Sequence, residues 1–226
     1  DGRYYLIQVR GDEYRMVDST LAAGGVLSYQ VDTSDTRGMY RIVGNQGTQS
    51  PANRNTPFSL EFIQGHEDVI MKTRVTDPVG SMLVGESVEN KLYFHFLKIQ
   101  SEFRSRLGRL LPLLQVYHPQ DLFYSPLSAE IVRVQTSYYD SLLVLMGEDP
   151  ESIASSVIAM ELEPVYNPLE HKDFEDFLRE NFLAMVSFDD PVLINSQVYT
   201  QKILTYLGLF RAPELMPSEQ EERFIG

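Results

Sequence analysis

The sequence predicts an α+β protein in which an N-terminal antiparallel β-sandwich is followed by an all-helical domain. Short β-rich runs separated by turn signals occupy residues 1–84, which is typical of a small antiparallel sandwich or barrel. From Ser87 the apolar residues recur every three or four positions, as they do in amphipathic helices. With 43% hydrophobic residues, the 226-residue chain has enough apolar side chains for a real core. We therefore expect a β-sandwich domain at residues 1–84 and an acidic helical domain at residues 85–226.

Seven runs predict the strands of the sandwich. They lie at residues 4–9, 14–17, 26–31, 39–43, 58–63, 69–73 and 82–84, and the breaks between them contain glycine, aspartate or proline. Alternation is clear in Phe58-Ser59-Leu60-Glu61-Phe62, where every second side chain is apolar. Residues 44–57 are polar and rich in Asn, Gln and Gly, and we expect them to form a loop.

An apolar stripe that begins after Ser87 predicts the first helix. Ser87 is the expected N-cap, and Pro112 is expected to kink or end the helix because proline has no amide hydrogen. The stripe consists of Val88, Leu92, Phe96, Ile99, Phe103, Leu107, Leu110 and Leu114.

Three later helices are predicted from a capping residue followed by proline, a combination favoured at helix starts. The pairs are Ser125-Pro126, Asp149-Pro150 and Asn167-Pro168, and Glu170 is placed to complete a capping box with Asn167. Two apolar stripes follow, Leu127/Ile131/Val134/Tyr138/Leu142/Leu145 and Phe174/Phe177/Leu178/Phe182/Met185, and a further helix fits residues 198–209. A last capping box starts at Ser218 with only five residues after it, so we expect the helical domain to be truncated at its C-terminal end.

The charge of the chain narrows the classes of partner. The formal net charge is −13, and residues 85–226 carry 11 basic against 22 acidic side chains. Such a surface repels phosphate backbones, so we expect no nucleic acid as a partner. No apolar run approaches the roughly 18–20 residues that a membrane helix needs, so we also expect no transmembrane segment in this chain.

The stretch Gly65-His66-Glu67-Asp68 is the most conspicuous candidate site, because it places a histidine beside two carboxylates. Consecutive residues of a strand point to opposite faces, so these three side chains cannot easily converge on one ion. A single histidine is also fewer than the three protein ligands of a catalytic zinc site. We interpret the stretch as a polar hairpin turn before a strand.

The remaining chemistry-bearing residues do not form a site in the sequence either. His95 lies within the first helical stripe, His118 precedes Pro119 in a linker, and His171 lies in an acidic first helical turn. Phosphate-loop, dinucleotide and nucleophile-elbow motifs are missing, and the chain contains no cysteine, hence no thiol nucleophile. We predict no catalytic, cofactor-binding or metal-ligating residues, no cofactor, and no enzyme activity for this chain by itself.

Several segments together resemble the N-terminal accessory region of TlpA-like, thioredoxin-like envelope proteins of the Bacteroidetes. They are Val17-Asp18-Ser19 with Gly25, Gly38-Met39-Tyr40-Arg41-Ile42, Phe58-Ser59-Leu60-Glu61-Phe62-Ile63, the junction from Val84 to Leu92, Val186-Ser187-Phe188-Asp189-Asp190-Pro191, and Lys202-Ile203-Leu204-Thr205-Tyr206-Leu207. These motifs are structural rather than catalytic, and they are spread over most of the chain, from Val17 to Leu207.

The resemblance implies a domain of unknown function that accompanies a redox domain. In such proteins a thioredoxin-like domain with a Cys-x-x-C pair follows, and a signal or lipoprotein leader precedes. It thus implies a periplasmic or cell-envelope location, lipid anchoring through a leader outside this chain, and a part in cell redox homeostasis. The chain would position the missing C-terminal thioredoxin-like domain, self-associate as a homodimer, or select a partner.

Two alternatives stay open. The chain could be a glycan- or peptide-binding module that uses the sandwich surface or the loop at residues 44–57. It could also be a hydrolase with a pair of carboxylates, which would require two acids that converge in one pocket.

Overall fold

The computed structural model of the chain describes residues 2–31, 37–44 and 58–211, and these form strands first and helices afterwards. The predicted α+β class is confirmed. The strands are β1 (Arg3–Arg10), β2 (Glu13–Leu21), β3 (Gly38–Gly44), β4 (Phe58–Gln64), β5 (Ile70–Lys72) and β6 (Leu83–Glu86). The α-helices are α1 (Val88–Leu110), α2 (Tyr124–Glu148), α3 (Ile153–Ala159), α4 (Phe174–Asn181) and α5 (Val198–Gly208), with short 3-10 helices at Leu111–Gln115 and Pro191–Asn195.

The strands form a four-stranded antiparallel sheet in the order β2-β1-β3-β4 and a separate antiparallel ribbon of β5 and β6. Six of the seven predicted runs contain a strand. The run at residues 26–31 is wrong, because only Val26 pairs, in a single bridge to Ala23 across the glycine turn between them. The apolar side chains of this run have another role: Leu27, Tyr29 and Val31 pack against the core.

The outer edge of β4 is closed by the side chain of Asn90 in α1. Its Oδ1 accepts from the Ile63 backbone N–H at 2.8 Å, and its Nδ2 donates to the Ile63 carbonyl at 2.7 Å. Asn90 is completely buried. One amide side chain thereby replaces one residue of a neighbouring strand, and it joins the first long helix to the sheet.

Ser87 caps α1, as predicted. Its Oγ accepts from the Asn90 backbone N–H at 3.2 Å and from Asn90 Nδ2 at 2.9 Å. Ser87 has φ 113°, a left-handed value that non-glycine residues rarely adopt. The capping bonds and the burial of Ser87 hold the backbone in this conformation.

The strands and the first three helices share one hydrophobic core. Leu6, Tyr40 and Ile63 of the sheet belong to the same buried cluster as Phe96 of α1 and Leu142 of α2. The cluster also contains Ile153, Ala154, Val157 and Ile158 of α3. The change from strands to helices near residue 84 therefore lies within a continuous core.

The predicted stripes agree closely with burial in α2 and less closely in α1. All six stripe residues of α2 are buried. In α1, Leu92, Phe96 and Leu107 are buried, whereas Val88 is 54% exposed. Val88 is in the first turn, on the side of the helix facing away from the buried Asn90. As predicted, α1 stops before Pro112, and the chain continues as the 3-10 helix at Leu111–Gln115.

The three predicted cap-and-proline helix starts are wrong in position. The structure starts α2 at Tyr124 without a side-chain cap, and α3 is capped by Ser152 instead of Asp149. Helix α4 is capped by Asp173, which lies six residues after Asn167. The fifth helix, predicted at residues 198–209, is confirmed.

The capping box at Asn167 forms a turn and not a helix. Asn167 Oδ1 accepts from the Leu169 N–H at 3.1 Å, and Asn167 Nδ2 donates to Glu170 Oε1 at 2.8 Å. The same side chains that cap a helix can thus close an isolated turn. Residues 45–57 of the expected loop and the box at Ser218 lie outside the described residues.

Candidate functional site

An open groove of about 890 Å³ runs along the solvent-facing side of α2 and reaches the buried stripe at Leu145. Ten residues of α2, from Ala129 to Glu148, form its floor. His95 and Ile99 of α1 form one wall, and Asn167 and Leu169, from the turn described above, contribute as well. Three separate parts of the chain therefore meet here.

The basic side chain of the groove is paired with a carboxylate outside it, whereas two acidic side chains line the groove. Arg133 donates to Glu130 through Nε at 2.7 Å and through Nη2 at 2.8 Å, and Glu130 also accepts from Arg106 at 2.6 Å. Hydrogen bonds from Arg133 and then Arg106 lower the pKa of Glu130 to about 2. The positive charge of Arg133 is therefore largely balanced by Glu130. The acidic side chains of Asp140 and Glu148 line the groove as well, which disfavours an anionic ligand.

The two acids of the groove do not have the spacing of a glycosidase carboxylate pair. Asp140 and Glu148 are eight residues apart on one helix, which corresponds to about 12 Å of rise. Glycosidase carboxyl groups lie about 5–9.5 Å apart. The Ser141 hydroxyl donates to the Ser137 carbonyl of the same helix at 2.7 Å, so its proton is bound to the backbone instead of a base. A floor that mixes apolar, hydroxyl and charged side chains without a base beside a nucleophile is better suited to binding than to catalysis.

A second polar cluster is buried where α1, α5 and the segment after α3 meet. Lys202 of α5 is 7% exposed, and its Nζ lies 3.5 Å from the Leu162 carbonyl oxygen and 4.3 Å from the centre of the Phe182 ring. Nearby, Glu161 accepts from Gln100 Nε2 at 2.7 Å and from Arg104 at 3.3 Å. None of these residues lines the groove.

Burial shifts both buried charges of this cluster toward their neutral forms. It lowers the pKa of Lys202, and the attraction of Glu163 and Glu161 opposes that shift only in part. Burial likewise raises the pKa of Glu163, against the attraction of Lys202. The cluster is thus a buried ammonium and a half-buried carboxylate, whose mutual attraction compensates the burial of the two charges only in part.

The Gly65-His66-Glu67-Asp68 stretch is an exposed polar link, in agreement with its interpretation as a turn. All three chemistry-bearing side chains are exposed, and Gln64 Nε2 donates to the Glu67 carbonyl at 3.1 Å. It is not a hairpin turn, because β4 and β5 belong to different sheets. Within residues 2–31, 37–44 and 58–211, no group of three or more histidine, aspartate or glutamate side chains could hold a metal ion.

The other three histidines lie in three different surroundings. His118 is in an exposed turn, where its Nδ1 accepts from the Gln120 N–H at 3.3 Å. His171 is half-buried, with its ring centre 4.7 Å from that of Phe177. His95 is exposed and lines the groove, which the sequence analysis did not predict.

The polar face of α2 is the part of the groove that the sequence could have indicated. The side of α2 away from the apolar stripe carries Thr136, Ser137, Asp140 and Ser141, a pattern typical of an ordinary solvated helix face. This face becomes the floor of a groove because walls from α1 and from the turn at Leu169 stand beside it, and only the packing of the helices provides these walls.

Comparison with protein families, with curated proteins and with solved structures finds no match to this chain. In the described part of the chain, none of the helices combines the length and the hydrophobicity needed to cross a membrane.

Proposed function

We propose that this chain is a non-catalytic accessory module of a secreted thioredoxin-like protein, in which it positions the redox domain, self-associates or selects a partner. The observation that carries the proposal is the continuous core joining the sheet to α1, α2 and α3. A unit with one core and a hydrogen-bonded junction at Asn90 is rigid enough to hold another domain in a defined orientation.

The chemistry of the chain supports a holding role. Its 226 residues contain no cysteine, so it has no thiolate with which to exchange disulfides. Buried polar side chains such as Asn90 and Gln135 are bound to the backbone, and such bonds support structure. The proposal includes a periplasmic or cell-envelope location and a thioredoxin-like domain outside this chain, both based on the resemblance of its segments.

Purified chain should leave the rate of insulin reduction by dithiothreitol unchanged, because no redox-active thiol is present. The assay follows insulin precipitation with and without the chain, and thioredoxin serves as the positive control. A rate above the dithiothreitol baseline that scales with the chain concentration contradicts the non-catalytic role.

The genomic context tests the second half of the proposal. A Cys-x-x-C pair encoded within about 150 codons after Gly226, the length of a typical domain, supports the accessory role. A stop codon directly after Gly226 removes the proposed redox partner. Sedimentation of the purified chain over a concentration series then measures whether it self-associates.

A glycan- or peptide-binding module is the second candidate, and the groove on α2 favours it. Its volume of about 890 Å³ lies within the range of small-molecule sites, roughly 300–1,000 Å³. In this candidate function the binding surface is the groove on the helices, whereas the sequence analysis considered the surface of the sheet.

A binding screen with the whole chain separates the two candidates. Val144 lines the groove and is 71% exposed, so Val144→Arg should block it, whereas the neighbouring Leu143→Arg lies outside it and serves as the control. Saturable binding that Val144→Arg abolishes and Leu143→Arg retains supports recognition. Dimerisation without any saturable ligand supports the accessory role.

A further inference from the structure

Helix α5 buries a cation where it packs on the rest of the molecule. Lys202 is 7% exposed, and its ammonium has one long hydrogen bond, 3.5 Å to the Leu162 carbonyl, besides its contact with the Phe182 ring. None of the ion pairs found among the described residues includes Lys202. An ammonium removed from water without a close carboxylate destabilises the conformation that buries it.

The charged groups that face Lys202 compensate it only partly. Glu163 and Glu161 come from the segment after α3, and Arg104 comes from α1. Glu161 is already bound to Gln100 and Arg104, and Arg104 repels the ammonium. Glu163 is therefore the principal counter-charge, and it is itself half-buried.

The other contacts of α5 are concentrated at its two ends. Val198 and Tyr199 pack against the main core at its start, and the Leu209 carbonyl accepts from Arg179 Nε at 2.8 Å just beyond its end. Between them, Ile203, Leu204 and Leu207 are 44%, 58% and 39% exposed. In the middle of the helix, the side chains that reach the body are Lys202, which brings a charge that is only partly compensated, and Tyr206, whose ring lies near that of Phe182.

We propose that α5 is a strap that detaches reversibly from the helical body, and that the buried ammonium of Lys202 keeps its docking weak near neutral pH. When α5 detaches, Lys202 regains water and the destabilisation ends. This movement of α5 does not depend on the proposed accessory role.

The proposal has a definite pH dependence. The docked pKa of Lys202 is below its ordinary value, so docking strengthens as the pH rises through the docked pKa towards the ordinary one. The docked pKa of Glu163 is above its ordinary value, so docking also strengthens as the pH falls through that docked pKa. Docking is therefore weakest between the two titrations, where both groups are charged.

Hydrogen exchange measured by mass spectrometry on the whole chain tests the strap. At pH 7 we expect α5 amides to exchange faster than those of α2. In Lys202→Met, which keeps the length of the side chain and removes the charge, α5 exchange should slow by about tenfold, because a charge that is only partly compensated is no longer buried. Lys98 of α1 is exposed, so Lys98→Met is the matched control and should change the exchange rates of neither α5 nor α2.

The unmodified chain provides an independent test. After correction for intrinsic exchange rates, α5 should become better protected relative to α2 at pH 9.5 than at pH 7, and Lys202→Met should lose this gain. Equal protection of α5 and α2 at pH 7, or faster α5 exchange in Lys202→Met than in the unmodified chain, overturns the proposal. So does an α5 protection that is the same at both pH values in the unmodified chain.

Discussion

Replacing Leu142 by alanine should lower the free energy of unfolding by about 3 kcal/mol, within the range of roughly 2–5 kcal/mol for buried leucines. Leu142 is 0% exposed and lies in the cluster that joins α2 to the sheet and to α3. The loss combines the transfer energy of the removed carbons with the cavity left among side chains that cannot fully collapse. Urea denaturation followed by circular dichroism measures it.

The next residue of α2 is a matched control for this prediction. Leu143 is 44% exposed, so Leu143→Ala removes the same atoms from a surface that stays hydrated, and we expect a change of about 0.5 kcal/mol or less. Equal losses for the two variants would show that the core does not extend to Leu142 as the structure has it. A large loss for Leu142→Ala alone supports the continuous core on which the accessory role depends.

Asn90→Ala should destabilise the protein by about 3–4 kcal/mol, which is large for the loss of a polar side chain. The substitution leaves the Ile63 N–H and carbonyl without their partner, and each buried unsatisfied group costs about 1–3 kcal/mol. It also removes one of the two donors to Ser87 Oγ. Chemical denaturation again measures the change.

Two further variants make the Asn90 prediction specific. Asn181→Ala removes a half-buried asparagine with one hydrogen bond, to the Phe177 carbonyl within α4, and should cost about 1 kcal/mol or less. Asn90→Asp keeps an acceptor for the Ile63 N–H but has no donor for the Ile63 carbonyl, so it should also be destabilising. If Asn90→Ala is no worse than Asn181→Ala, Asn90 does not close the edge of β4.

The elements that the sequence predicts well are those in which a local period decides the structure. The six-residue stripe of α2 is buried as predicted, and Ser87 caps α1 because capping depends on residues three positions apart. The errors arise where one local signal suits two structures. The Asn167 box closes a turn, and the β-rich run at residues 26–31 packs its side chains against the core while its backbone pairs only at Val26.

The candidate sites were less accessible to sequence reasoning. The polar face of α2 is visible as a pattern, but its walls at His95 and Leu169 come from positions 30 or more residues away from parts of the floor. Lys202 belongs to a segment whose lysine is expected at the surface, since buried lysines are rare. Its burial depends on Leu162 and Phe182, which approach it only after the helices have packed.

The sequence by itself determined the α+β class, the order of strands before helices and the apolar stripes, because the period of the apolar residues depends only on near neighbours. It also determined the absence of any thiol, because that follows from composition alone. Only the tertiary structure decided that Asn90 completes an edge of the sheet, that α2 forms the floor of a groove and that Lys202 of α5 is buried. These features arise from contacts between residues far apart in the chain, and the energy of such contacts is not encoded in any single local pattern.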